Sequence, residues 1–141
     1  MPPKGDRLET RGRVRALQAL YAWDVRDGEP LDRVAARAWD DLAVSPKERE
    51  FASVLIREIV KSGDVIDREL VEVTTNWRLE RLGAIERSML RLAAAELRCS
   101  STPPRVIIQE AVRLAERFGT EQSAKFVNGV VDALARRMGR L

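Results

Sequence analysis

Apolar residues recur at helical spacing along almost all of this chain, and no stretch alternates apolar and polar in the manner of a strand. The 141 residues are therefore predicted to fold as an all-α assembly. Residues 8–26 place Val14, Leu17, Tyr21 and Val25 on one stripe, and the Asp27-Gly28-Glu29-Pro30 break ends it. Leu31, Val34, Ala35, Ala38, Trp39 and Leu42 then repeat the helical template without a miss. Ser45-Pro46-Lys47-Glu48 is a helix start, with a capping-box Ser and Glu around a Pro at the first helical position. The helix it opens uses Phe51, Leu55 and Ile59 and is predicted to stop near Gly63. Asp64 then recaps a shorter one with Ile66, Leu70 and Val73. Another pattern over 79–97 carries Ile85, Met89, Leu92 and Ala93, with a local break at Gly83. Pro104 opens a helix with Val106, Ile107, Ala111, Leu114, Ala115 and Phe118, and Gly119 is read as its left-handed terminator. The last helix, about 121–138, turns Val127, Val130, Val131 and Leu134 inward. This gives about seven helices, too many for one simple bundle, so two small packed helical subdomains are expected.

Composition narrows the chemistry. The chain has no histidine and one cysteine, Cys99, which removes the commonest general base, the commonest metal ligand and any internal disulfide. There is no Gly-rich phosphate loop, G-x-S-x-G or H-E-x-x-H. We therefore expect no enzyme, metal or cofactor, and read Cys99 as a spectator thiol. No apolar stretch approaches the roughly 18 residues of a membrane span. The polar start of the chain carries no secretory signal. A cytoplasmic protein is the expectation.

Charge is distributed unevenly. Residues 1–23 hold Lys4, Arg7, Arg11, Arg13 and Arg15 against Asp6 and Glu9, residues 24–50 are net acidic, and residues 105–141 are basic again. Twenty-one of the 25 basic residues are arginine, the side chain suited to bidentate phosphate contacts and to stacking on bases. Arg11 and Arg15 fall one turn apart beside the Val14-Leu17-Tyr21 stripe. They form either a phosphate-binding face or a solvated flank, and the pattern favours neither. In the last helix Phe126 sits about 80–100° off the apolar stripe, sharing its flank with Gln122 and Gly129 beside Lys125. Such an aromatic suits base stacking, although the pattern alone slightly favours a place under the neighbouring helix.

Several blocks resemble the NusB family of transcription antitermination factors. The first is Arg11-Gly-Arg-Val-Arg-Ala-Leu-Gln-Ala-Leu-Tyr21-Ala-Trp23. The middle one is Asn76-Trp77 with Arg81-Leu82, Ile85-Glu86-Arg87, Leu90-Arg91-Leu92-Ala93 and Glu96-Leu97. The third is Glu110-Ala-Val-Arg-Leu-Ala115, Arg117-Phe-Gly-Thr-Glu121 and Lys125-Phe-Val-Asn-Gly129-Val-Val-Asp132. The resemblance runs from about residue 8 to residue 137, and the last block is the most specific.

It implies one NusB-like RNA-binding domain, 1–141, with subdomains at about 8–76 and 77–138. The implied activity is binding of boxA-like single-stranded RNA together with the ribosomal protein NusE, promoting read-through in ribosomal RNA operons within an RNA polymerase antitermination complex. By position it implies Arg7, Arg11, Arg13, Arg15, Gln122, Lys125 and Phe126 as RNA contacts, and Tyr21 and Glu86 as the partner face. It leaves a homodimer open. The alternative is a helical protein-interaction module without specific RNA binding.

Overall fold

The computed structural model describes residues 7–26, 28–74 and 78–141. Lys4, Asp6, Asp27 and the Asn76-Trp77 pair lie outside the described residues. The elements are α1 (Leu8–Asp24), α2 (Leu31–Asp41), α3 (Pro46–Val73), a 3-10 turn (Leu79–Arg81), α4 (Ala84–Cys99), α5 (Pro104–Phe118) and α6 (Glu121–Arg137). Among the described residues there is no strand.

Among the described residues six α-helices stand where about seven are expected, because 46–73 is a single helix. A kink at Ser62 (φ −120°, ψ 17°) is all that marks the predicted break at Gly63. Ile59 and Ile66 lie two turns apart and are both buried, so one face meets the core on both sides of the kink. A glycine costs a helix interior only about 1 kcal/mol, too little to end it there. Gly83 does interrupt the next pattern, separating the 3-10 turn from α4. Before α3, the Glu48 N–H donates to Ser45 Oγ at 3.3 Å, and that hydroxyl donates to Glu48 Oε2 at 2.9 Å. Gly119, at φ −119°, is not left-handed. It is small because a Cβ there would lie 2.8 Å from the Ala115 carbonyl and 3.0 Å from Ser123 Oγ.

α1, α2 and α3 pack on one another, as do α4, α5 and α6, and α3 and α1 against α4 join the two groups. The buried apolar side chains form one continuous cluster. α1 is buried on almost every side from Thr10 to Leu20. Gly12 permits this, since a Cβ there would lie 2.5 Å from Phe51 Cδ1 on α3. The stripe expected on α1 leaves the core early. Val14 and Leu17 are buried, but Tyr21 is 44% and Val25 63% exposed. Leu42, Val106 and Phe118 also face outward.

The ion pairs give the helix directions. Arg13 near the start of α1 reaches Glu96 near the end of α4, while Asp24 at the end of α1 reaches Arg87 near the start of α4. The two helices are thus antiparallel. Glu86 near the start of α4 contacts Ser123 near the start of α6, so Tyr21, Glu86 and the α6 N-terminus share one end of the molecule. No helix is long and apolar enough to cross a membrane among the described residues.

Candidate nucleic-acid interface

The N-terminal arginines divide between surface and interior. Arg7 occupies the N-cap position of α1 and is exposed. Arg11 is half-buried, with its Nε 3.5 Å from Glu48 Oε2. Arg13 and Arg15 are only 4% exposed. Arg13 donates to Glu96 through Nε at 2.8 Å and Nη2 at 2.5 Å, and to Glu110 through Nη1 at 2.9 Å. Its guanidinium also lies over the Phe51 ring, 5.4 Å from the centroid. Burial opposes the charge on Arg13, but the two carboxylates outweigh it and raise its pKa above the ordinary value. Thr10 hydrogen-bonds Glu110 as well. Arg15 Nε donates to Glu48 Oε1 at 3.0 Å and its Nη1 to Gln18 Oε1 at 3.1 Å. Its carbonyl accepts from Trp39 Nε1 at 3.0 Å.

The solvent-reaching flank expected for Arg11 and Arg15 is therefore limited to Arg11. Arg13 and Arg15 tie α1 to α3, α4 and α5, because the carboxylates facing them lie on other helices. Burial opposes ionisation of Glu48, yet hydrogen bonds from Arg15 and Ser45 hold its pKa below the ordinary value. The residue whose N–H is capped by Ser45 at the start of α3 thus also neutralises Arg11 and Arg15 of α1.

A second group forms around the start of α6. Thr120 caps the helix, its Oγ1 accepting from the Ser123 N–H at 3.0 Å, while the Thr120 N–H donates to Ser123 Oγ at 3.2 Å. Ser123 Oγ in turn donates to Glu86 Oε1 at 3.0 Å. The Glu86 carboxylate lies over Gly83, where a Cβ would come within 2.7 Å of Oε2. Beside this junction is a shallow cavity of about 250 Å³ lined by Arg81, Leu82, Gly83, Glu86, Thr120, Gln122, Ser123 and Phe126. Gln122 and Lys125 are exposed and Phe126 is half-buried, its ring packed partly on the core.

Glu86, expected on the partner face, therefore shares a wall with Gln122 and Phe126, expected to meet RNA. The sequence could not show this, because 37 residues separate Glu86 from Ser123. Arg81 belongs to the middle sequence block, but nothing in its spacing marks it as a contact. Its place on the cavity depends on the 3-10 turn before α4. Chemically, the cavity offers an aromatic edge, an amide, a cation and a carboxylate already engaged by a hydroxyl. Cys99 is half-buried, and burial with nearby Glu58 and Glu96 raises its pKa, the behaviour of an unreactive thiol.

The sequence model of the NusB family matches residues 10–136. The transcription antitermination protein NusB of Anaeromyxobacter dehalogenans (strain 2CP-1 / ATCC BAA-258) is 42% identical over 129 residues, covering 89% of each chain. That of Sorangium cellulosum (strain So ce56) is 40% identical over 131 residues, covering 92% of this chain and 93% of its own. Among solved structures, T. maritima NusB superposes with a TM-score of 0.84 at 35% identity, over 91% of this chain and 90% of that one. A chain from a crystal structure of antitermination factors NusB and NusE in complex with dsRNA gives 0.82 at 29% identity, over 92% and 97%. A family model matching residues 10–136 and relatives about 40% identical over nearly the whole of both chains mean that this chain belongs to the NusB family.

Proposed function

We propose that this chain is an RNA-binding transcription antitermination factor that binds boxA-like single-stranded RNA together with NusE and promotes read-through in ribosomal RNA operons. The observation that carries this reading is the half-buried Phe126 beside the exposed Gln122 and Lys125, with Gln122 and Phe126 lining a cavity at the α6 N-terminus. An aromatic edge beside a cation is the pairing that single-strand binders use, stacking for the bases and charge for the backbone. Arg7 and Arg11 supply further accessible positive charge at the start of α1. Arg13 and Arg15 support the site indirectly by fixing α1 in place. Tyr21, exposed at the end of the molecule that holds Glu86, offers with it the mixed apolar and polar rim of a protein contact. We assign that rim to NusE, within an RNA polymerase antitermination complex in the cytoplasm. The solved assembly of NusB, NusE and dsRNA supports both partners, with the difference that its RNA is double-stranded.

The test is a fluorescence titration of boxA-like single-stranded RNA, a scrambled strand and a duplex, each with and without NusE. Preference for the boxA-like strand, strengthened by NusE, is the expected result. Salt-independent or undetectable affinity for every RNA would leave the chain as a helical protein-interaction module.

A further inference from the structure

We infer that Arg81 is a backbone-phosphate contact, holding a single RNA strand across the cavity from Phe126. The inference rests on the RNA-binding reading above and adds a residue from neither basic end of the sequence. Arg81 closes the 3-10 turn that precedes α4, where its backbone N–H donates to the Arg78 carbonyl at 3.0 Å. Its side chain is exposed and lines the same cavity as Gln122 and Phe126.

The arginines of α4 itself are committed to the fold. Arg87 is paired with Asp24, Arg91 with Asp67 and Asp24, and Arg98 with Glu58 and Glu69. Among the described residues Arg81 meets no carboxylate at ion-pair distance. Glu86, the carboxylate on the same wall, is held by the Ser123 hydroxyl and lies against Gly83. The guanidinium of Arg81 is therefore the uncommitted cation among the described residues of this cavity.

Geometry gives it an object. A base stacked on Phe126 leaves its sugar and phosphate at the cavity rim. Arg81 lines the cavity from the 3-10 turn, and the exposed Lys125 directly precedes Phe126 on α6, so a cation stands on each of the two elements that meet at the aromatic. The planar guanidinium matches phosphate oxygens two at a time. The competing description is a solvated arginine that touches nothing, and the salt dependence of binding separates the two.

The experiment measures anisotropy of a labelled boxA-like single-stranded RNA with the wild-type chain, Arg81→Gln, Arg81→Lys and Phe126→Ala across a series of salt concentrations. For Arg81→Gln the slope of log affinity against log salt should flatten by about 0.7, the amount that each neutralised phosphate contributes on a single strand. Arg81→Lys should restore that slope, and Phe126→Ala should weaken binding while leaving it unchanged. Thermal unfolding of Arg81→Gln should match the wild type, because among the described residues no carboxylate depends on this side chain. An unchanged slope in Arg81→Gln, with wild-type binding intact, overturns this inference alone. Weaker binding that tracks a lowered melting temperature also overturns it, since Arg81 would then be structural. No RNA binding by the wild type overturns the functional reading and this inference with it.

Discussion

Replacing Arg13 by methionine tests whether the N-terminal arginines serve the fold or the ligand. The exchange keeps much of the side-chain volume and removes the charge. It strands Glu96, itself 2% exposed, which receives two hydrogen bonds from Arg13. Glu110 fares better, because Thr10 still hydrogen-bonds it and Arg113 lies 3.9 Å away. Removing one partner of a buried pair costs about 3–5 kcal/mol, since the remaining charge sits unsolvated. For a chain of this length that corresponds to a fall of roughly 10–15 °C in melting temperature. Urea unfolding followed by circular dichroism measures the loss. The double variant Arg13→Met with Glu96→Met should recover most of it, because exchanging a whole buried pair for apolar groups is often neutral or favourable. RNA affinity of the folded single variant should stay close to wild type. A loss below about 1 kcal/mol together with selective loss of RNA binding would overturn the structural assignment, since the guanidinium would then touch the ligand.

Other substitutions probe the rest of the molecule. Gly12→Ala should destabilise by about 1–3 kcal/mol in chemical denaturation, because its Cβ meets Phe51 and overpacking exceeds the gain of about 1 kcal/mol in helix propensity. A stabilised variant would show that α1 and α3 do not approach so closely. Acid should weaken the fold through Asp24, whose pKa is held down by the hydrogen bond from Arg87, and through Glu48. Both are lowered in the folded state, so their contribution is complete above the ordinary carboxylate range and is lost as pH falls from that range through the lower folded values. Asp24→Asn should flatten the acid limb of a stability–pH curve, and an unaltered limb would remove Asp24 from it. Glu86→Lys should weaken NusE recruitment while steepening the salt dependence of RNA binding, because it replaces the anion of the cavity wall with a cation. Equal weakening of both in filter-binding and pull-down measurements would mean that the substitution disturbs the α6 cap instead.

The helices were legible because each amphipathic face meets one core. Leu31, Val34, Ala35 and Trp39, for example, are all buried as their spacing requires. The start of α3 was legible too, since Ser45 accepts from the Glu48 N–H, whereas Gly119 is not the left-handed terminator expected after α5. The Gly63–Asp64 stop signal misled because local breakers are weak against burial of Ile59 and Ile66 on a shared face. At the candidate site, the displacement of Phe126 from its stripe was visible in the pattern, and the structure places it half-buried at a cavity. The fate of Arg13 and Arg15 was not visible. Whether an arginine faces water or a carboxylate depends on Glu48, Glu96 and Glu110, which arrive from three other helices. α1 is surrounded on nearly all sides from Thr10 to Leu20, so the flank of a stripe-and-flank reading shrinks there to the half-buried Arg11 and Gln18.

Where RNA binds can be read by amide chemical-shift mapping of the isotope-labelled chain during titration with a boxA-like single-stranded RNA. The largest changes are expected at Arg81, at Gln122, Lys125 and Phe126, and at Arg7 and Arg11, with Arg13 and Arg15 moving little. Changes centred on the outer surface of α2, or on the groove between the α3 kink and the end of α1, with none at the start of α6, would contradict an RNA site at this end of the molecule.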